Sequence, residues 1–600
     1  MVFALAAVFA ALALDSDALR VTIRDDAALE VRDKRTGQDW LPGKGELDKL
    51  SVASIRRISR TAAEVSFAAS ERTGAFVARI ELERKSPEFL VTLTGKGRSG
   101  DWVMYPQPLL SRPGDRLLVP VDEGFGIPVE ETVPGMPSRL SGFCGGYGLG
   151  LSFAAVVSDA KGDGWMALVE TPDDMWMYFG KQGPDKLQTA WPWWCGSKGE
   201  FAYPRRMRYV FFARGGHVAV CKRFRAFAKS IGAFKTLREK IAERPKVARL
   251  LGAVNVWDWE KDKLAVVSNL VAAGIERILW SGSGTAAEVK AIAEMPKALV
   301  SVYDVVQDVY RPEQLKKLGW DKGANMDAWP DDVIWRSADP TDWAKAWPVK
   351  AKDGTYVHCA WQCDLKAIPR LRRRVREDLK TYPYNTRFMD VVSAAPWQEC
   401  WNPAHPMVRG ECRRSRGEQM KILMDEFGLV VGSERGIFSD VPYCDYLEGK
   451  MSQGFWRDDE GSVRATVTNI PEKVRLYNLG EKYRLPLWEL VYHDCVVSTW
   501  HWSESSNRQP ELWRKRDLFN VLYGTVPMFT LDAEKWAKWK DRFVESYRTT
   551  SKLARAVGLE EMTDHRILSP DRSVQQTRFA NGVTVTVDFR KETHRFAREK

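Results

Sequence analysis

The run RLLGAVNVWDW at 249–259 is followed by KLAVVSNLVAAG at 263–274, ERILWSG at 276–282, GTAAEVKAIAEM at 284–295 and ALVSVYDVVQD at 298–308, and these segments decide the fold. The short runs rich in Val, Ile and Leu have the composition of buried strands, and the runs between them space apolar residues as a helix does. Alternating strands and helices predict βαβ units with a parallel sheet. The pattern continues in YVHCAWQCD (356–364), NTRFMDVVSA (385–394), GLVVGSERG (428–436) and YRLPLWELVYHD (483–494), with helical PRLRRRVREDLKTY (369–382) and ECRRSRGEQMKILMDEFG (411–428) between them. A stretch this long suits a (β/α)8 barrel, typically about 250 residues, better than an open sheet.

Outward from this core the period changes. Upstream, LRVTIRDDAALEVRDKRTGQDW (19–40), AFVARIELER (75–84), EFLVTLTG (88–95) and RMRYVFFA (206–213) alternate apolar and polar residues between turns, which predicts a large antiparallel β-sandwich. The Gly-rich FCGGYGLGLSFAAVVS (143–158) does not lead from a strand into a helix, so it is not a phosphate loop. Downstream, an amphipathic helix at 532–558 precedes VQQTRFANGVTVTVDFR (574–590), a hairpin turning at Asn581-Gly582. The predicted class is α/β plus all-β, with segments at 1–14 (signal-peptide remnant), 15–217 (sandwich), 218–248 (linker helix), 249–530 (barrel) and 531–600 (helix and small β domain).

Composition narrows the function. The chain has 25 Trp, an unusual load, and sugars are among the few ligands that stack on flat aromatic platforms while offering hydroxyls to polar groups. The net charge of +11 is dispersed among acidic residues, and its densest run, Arg370 to Arg376, falls on one predicted helix without a nucleic-acid motif. A solvated helix face is expected there; a sulfated or sialylated glycan would also suit the charge. Val2 to Leu14 is too short to span a membrane and resembles a secretory h-region ending at Ala11-Leu12-Ala13, so export to a periplasmic or extracellular site is expected. Nine irregularly spaced Cys do not form a disulfide framework, with Cys400–Cys412 the nearest plausible bridge, and Cys359 and Cys363 make a poor zinc signature. No cofactor is required by any motif, and a structural calcium held by carbonyls and Asp would leave no pattern. No G-x-S-x-G or H-E-x-x-H motif is present.

In a barrel of this kind catalytic groups project from the C-terminal ends of strands. Asp390 follows Phe388-Met389 and Glu434 follows Val430-Val431-Gly432-Ser433, each a carboxylate beside a hydrophobic strand. Desolvation makes such a charge expensive unless it has a partner or a task. Arg435 is a candidate partner for Glu434, and Asp440 is then the alternative acid. Glycoside cleavage needs two carboxyls, one to protonate the leaving oxygen and one to attack or to activate water. Candidate sugar contacts are Trp257, Asp304, Asp308, Trp361, Trp401, His405, Glu489, His493, Asp494, Trp500 and Trp502.

TRFMDVVSA, WNPAHPM, GLVVGSERG and LPLWELVYHD, in that order, resemble the barrel core of the α-N-acetylgalactosaminidases of glycoside hydrolase families 101 and 129 and their relatives. The resemblance covers about 250–530. It implies a retaining mechanism with Asp390 as nucleophile and Glu434 as general acid/base, their carboxyls about 5–5.5 Å apart. The long segment PWQECWNPAHPMVRGECRR (396–414) between them departs from that pattern, so reaction type is better specified than sugar. Two other readings are the same machinery acting on another, sulfated polysaccharide, and a glycan-binding barrel without catalysis.

Overall fold

The computed structural model describes residues 11–598 apart from 46, 71, 101 and 459–461. The chain divides into two compact units, 1–143 with 147–224, and 144–146 with 225–600. The first is antiparallel, in sheets of four, nine and three strands. Phe76–Leu82 buries every second side chain, as its alternating pattern requires. Leu12–Asp15 is an edge strand paired with Leu19–Ile23. Ala11-Leu12-Ala13, expected as the end of a signal peptide, therefore runs into a sheet, and the rest of that apolar run lies outside the described residues. The region expected as one linker helix holds two, Gly216–Ser230 and Leu237–Glu243, the second opened by a Thr236/Glu239 capping box.

The second unit contains eight parallel strands in a nearly closed barrel: β1 Val254–Asp258, β2 Ile278–Ser281, β3 Ala298–Val305, β4 Thr386–Asp390, β5 Val430–Glu434, β6 Tyr446–Glu448, β7 Val497–Thr499 and β8 Met528–Leu531. Successive strands pair from β1 to β7, and β8 pairs with β1. At the β7–β8 gap the loop after β7 stands in for a strand: Ser506 N–H donates to Met528 C=O (2.9 Å), and Asn507 exchanges bonds with Thr530 (2.6 and 3.0 Å). Those polar groups leave no open sheet edge there.

Outward side chains of β1, β2, β3 and β8, among them Val254, Val256, Ile278, Trp280, Phe529 and Leu531, form one apolar layer with residues of the surrounding helices. Lys263–Ala272 is N-capped by Asp262, and Ala286–Ala293 by a Thr285/Glu288 capping box. Ala533–Val557, expected outside the barrel, contributes Trp536 and Phe543 to the same layer. A four-stranded antiparallel sheet, Met562–Arg598, follows, with Asn581-Gly582 at its central turn.

Two expected barrel strands are something else. Tyr356–Trp361 pairs with Lys345–Lys350 and Asp308–Val309 in a small antiparallel sheet. LPLWELVYHD is the helix Leu487–Tyr492 preceding β7; its six residues are buried on all sides, so the apolar run carries no helical stripe to distinguish it from a strand. β6, with three residues, is too short to show a period. All nine Cys are thiols, and Cys412 Sγ lies 3.2 Å from Asp364 Oδ2, so the expected Cys400–Cys412 bridge is not formed. The basic helix Asp364–Thr381 is an ion-paired face: Arg370 and Arg373 reach Asp327, Arg372 reaches Glu426, and Arg374 reaches Asp304.

The barrel interior is filled by alternate residues. A Cβ on Gly432 of β5 would lie 2.0 Å from the Tyr446 ring of β6, so only glycine lets that ring into the barrel. Gly432→Ala should destabilise the protein by about 1–3 kcal/mol through overpacking, measured as a fall in the denaturant midpoint. An unchanged midpoint would contradict this packing.

Candidate active site

Asn255 and Trp257 on β1, Ser301 and Tyr303 on β3, Phe388 and Asp390 on β4, Glu434 on β5, and Tyr446 and Glu448 on β6 point into the barrel. Contacts across it fix that orientation. Asn255 Nδ2 and Trp257 Nε1 donate to Glu448 (2.9 and 3.0 Å), and Ser301 Oγ lies 3.4 Å from Tyr446 OH. The Phe388 ring lies 6.1, 6.2 and 6.3 Å from those of Trp257, Tyr303 and Tyr446.

Asp390 and Glu434 end adjacent strands in register, immediately after the Met389–Ser433 pair. Each is followed by the same backbone device. Val391 (φ 52°) and Arg435 (φ 57°) are left-handed, and the chain closes over them with Val392 N–H to Asp390 C=O and Gly436 N–H to Glu434 C=O, both 2.7 Å. This is the strained form of γ-turn, and a β-branched Val in that region is disfavoured by about 1–2 kcal/mol. Such strain persists only where surrounding structure over-determines it. Here Gly146 N–H donates to Ala394 C=O (2.7 Å), and any Cβ on Gly145 would lie 2.0 Å from Ser393 O. Gly145 and Gly146 thus support the turn after Asp390.

The two oxygens of Asp390 differ. Oδ2 accepts the Tyr303 hydroxyl at 2.5 Å, while Oδ1 is buried without a hydrogen-bond partner among the described residues. Burial, and then the negative charge of Glu434, push the Asp390 carboxyl up to about 8 against the lowering bond from Tyr303, with Asp308 adding to the rise. Glu434 goes the other way. Burial opposes its charge, but the hydrogen bond from His501 and the guanidinium charges of Arg435 and Arg457 hold it below the usual glutamate range. His501 Nδ1 accepts Ser503 N–H (3.1 Å), so its proton sits on Nε2, 3.4 Å from Glu434 Oε1. The pair therefore keeps one proton up to mildly alkaline pH.

Several expected sugar contacts surround this pair. Trp257 and Trp502 lie 5.6 Å apart, Trp257 is 6.3 Å from Tyr303, and Trp502 packs 3.9 Å from His501. Asp308, pushed up to about 6 by burial, pairs in the sheet with Trp361 and acts electrostatically on Asp390. Trp401 is exposed on the 396–414 segment and tied by its N–H to Trp335 C=O (2.9 Å).

The others have structural tasks. Asp304 faces outward, one residue past Tyr303, clamped by Arg387 (2.5 Å) and Arg374 (2.7 Å). His405 is buried, with Nε2 2.9 Å from Asp331 C=O and Nδ1 3.5 Å from Cys400 Sγ. Trp500 is fully buried between the Arg484 and Arg516 guanidiniums and donates to Asn520. Glu489, His493 and Asp494 precede β7 and so sit at the opposite end of the barrel. Asp494 is held by Arg225 (2.7 Å), which with burial opposing keeps it low; His493 Nδ1 lies 2.8 Å from Glu560 C=O; burial pushes Glu489 up to about 8. Their position before a strand, not after it, removes them from the site. Asp440, the alternative acid, is pushed up to about 6 by burial and lies in the short helical turn Phe438–Tyr443, not at the strand ends that carry Asp390 and Glu434.

Sequence reasoning missed Glu448 and His501. Glu448 pairs with Glu434 in register and orients Trp257, and burial pushes it well above the glutamate range against the lowering bonds from Asn255 and Trp257. A Glu after the short apolar Tyr446-Leu447 was a usable signal; His501 after β7 carried none.

Residues 298–460 and 443–578 match the family model described as glycosyl hydrolases related to the GH101 family, GH129. Among solved structures the chain is similar to the ligand-free α-N-acetylgalactosaminidase NagBb from Bifidobacterium bifidum, at 20% identity and TM-score 0.76, covering 97% of this chain and 100% of that one. The GalNAc complex of the same protein matches at TM-score 0.75 and 20% identity over 98% and 100%. A GH31 sulfoquinovosidase from E. rectale matches at TM-score 0.55 and 10% identity over 96% and 89%. Comparison with curated protein sequences gives no match.

Tyr303→Phe should leave the fold intact and lower kcat/KM by about 10- to 1000-fold, because a preorganised donor to the reacting carboxylate is lost; circular dichroism and steady-state kinetics on an aryl α-glycoside check it. Asp308→Asn removes a negative charge that raises the Asp390 carboxyl, so the alkaline limb of the kcat/KM profile, expected near pH 8 where the pair loses its last proton, should move to lower pH. A limb that stays in place, or moves up, would contradict this electrostatic arrangement.

Proposed function

We propose that this chain, similar over 298–578 to the GH101-related glycosyl hydrolases of GH129, is a retaining glycosidase that releases α-linked N-acetylgalactosamine or galactose from glycans by double displacement. The observation that carries this reading is the unequal treatment of Asp390: Oδ2 is anchored by Tyr303, and Oδ1 is left free beside Glu434 of the adjacent strand. A nucleophilic carboxylate needs one oxygen held and one available.

The chemistry follows from the single shared proton. In the free enzyme it resides chiefly on Asp390, because Glu434 is held ionised by His501. A glycosidic oxygen arriving at Glu434 requires the proton there, and Asp390 is then the anion. Asp390 Oδ1 attacks the anomeric carbon as Glu434 protonates the departing oxygen. Glu434, now anionic, takes a proton from water, which attacks the glycosyl–Asp390 ester, and the pair returns to one proton. Trp257 and Trp502 line the sugar site, with Asp308 and Trp361 beside it. The sugar is supported by the activity and GalNAc complex of the similar B. bifidum α-N-acetylgalactosaminidase. The net charge of +11 favours, as a second reading, a sulfated polysaccharide cleaved by the same pair; the ion-paired Arg370–Arg374 face weakens it.

Proton NMR of a fresh digest of an aryl α-N-acetylgalactosaminide should show the α-anomer first; β-anomer first means inversion and overturns double displacement. Asp390→Ala and Glu434→Ala should each lose about 1000-fold or more in kcat. Azide should then give the β-glycosyl azide with Asp390→Ala and the α-glycosyl azide with Glu434→Ala. The opposite pairing would exchange the two roles.

A further inference from the structure

Away from the carboxylate pair, Cys363 converges with Cys400 and His405, a pair on a later segment, with nothing in the proposed chemistry to explain them. Cys363, Cys400 and His405 are all buried, and their ligand atoms lie within 4.8 Å of one another. Met407 joins them, its Sδ 3.9 Å from Cys363 Sγ. We propose that Cys363, Cys400 and His405, with Met407 closing the fourth side, form a structural zinc site.

The spacing fits a common ion. A tetrahedral zinc with Zn–S of about 2.3 Å and Zn–N of about 2.0–2.1 Å places sulfur and nitrogen about 3.5 Å apart and two sulfurs about 3.8 Å apart. Cys400 Sγ to His405 Nδ1 is 3.5 Å, and Cys363 Sγ to Met407 Sδ is 3.9 Å. The histidine is set in the tautomer a metal needs: Nε2 lies 2.9 Å from Asp331 C=O, and donating to it leaves the Nδ1 lone pair facing Cys400. A carbonyl holding the second ring nitrogen of a ligand histidine is the usual outer-shell partner. Cys363 is held in place as the N-cap of Asp364–Thr381. The thiols lose their protons to solvent on binding. A soft thiolate, thioether and imidazole set selects zinc over calcium or magnesium.

The backbone around the cluster is already drawn together. Cys400 and Met407 exchange hydrogen bonds (2.9 and 3.0 Å), Cys363 N–H donates to Asp332 C=O (2.8 Å), and Asn402 Nδ2 donates to Asp331 C=O (3.2 Å). Zinc would staple the 396–414 segment, bearing Trp401, to the wall formed by Trp335 and Trp361, which are linked through Trp401 N–H to Trp335 C=O and Ile334 N–H to Trp361 C=O. The site fixes the loop and takes no part in bond cleavage.

Elemental analysis of protein purified without chelator should find about one zinc per chain. It should be retained in Cys195→Ser and lost in Cys400→Ser and His405→Ala. If those two variants fail to fold, the wild type still decides: Cys363 and Cys400 should resist alkylation until a strong chelator is added, and chelation should lower Tm by several degrees. Zinc-free protein from zinc-supplemented medium with both thiols open to alkylation overturns the proposal, as does a Cys363–Cys400 disulfide in a non-reduced peptide map.

Discussion

The alternation of side chains along short parallel strands governs everything at this site. In a closed barrel only every second residue reaches the interior, and the last inward residue of each strand forms the rim. Trp257, Asp390, Glu434 and Glu448 are those residues on their strands, Tyr303 lies one inward position before the end of its own, and the outward positions Asp258, Asp304 and Arg387 enter ion pairs and helix contacts. A slip of one position would send the carboxylate pair into the outer apolar layer. The Gly432–Tyr446 contact and the closed β7–β8 gap are what hold that register.

Burial on this rim has electrostatic consequences. Asp390, Glu434, Glu448 and Asp308 share one water-poor space, and they cannot all be ionised. The structure resolves the conflict by unequal partners: His501 and nearby guanidiniums favour charge on Glu434, burial raises Glu448 against the bonds from Asn255 and Trp257, and Tyr303 supplies Asp390 with one side-chain bond. The result is a pair with a mobile proton, placed by two identical strained turns at adjacent strand ends. Stored backbone strain and displaced titration meet at the same residues, as expected where positioning matters more than stability.

The 396–414 segment shows how a loop becomes part of a rigid site. It begins just past the turn after Asp390 and runs beside the small sheet that ends in Trp361. Its internal Cys400–Met407 ladder and its bonds to 331–335 give it order without a long element of its own. The exposed Trp401 on this segment is positioned by what anchors its base.

The amino-acid sequence by itself determined the barrel, the sheets on either side of it and the two carboxylates, because each depends on local signals: runs of buried β-branched residues, helical spacing between them, and an acid at the end of an apolar strand. The Asn581-Gly582 hairpin was legible for the same reason. Tertiary structure alone decided what depends on distant partners. Glu448 found its donor in Asn255, 193 positions away, and Asp304 became a structural anion through Arg387, 83 positions away. The helix Leu487–Tyr492, buried on every side, had no stripe to mark it, so Glu489, His493 and Asp494 were expected at the wrong end of the barrel. Cys363 and Cys400 were separated by a helix and a strand, so no spacing rule could join them to His405. Local periodicity is written along the chain, whereas the protonation and partners of a buried group are set by whatever the fold brings beside it.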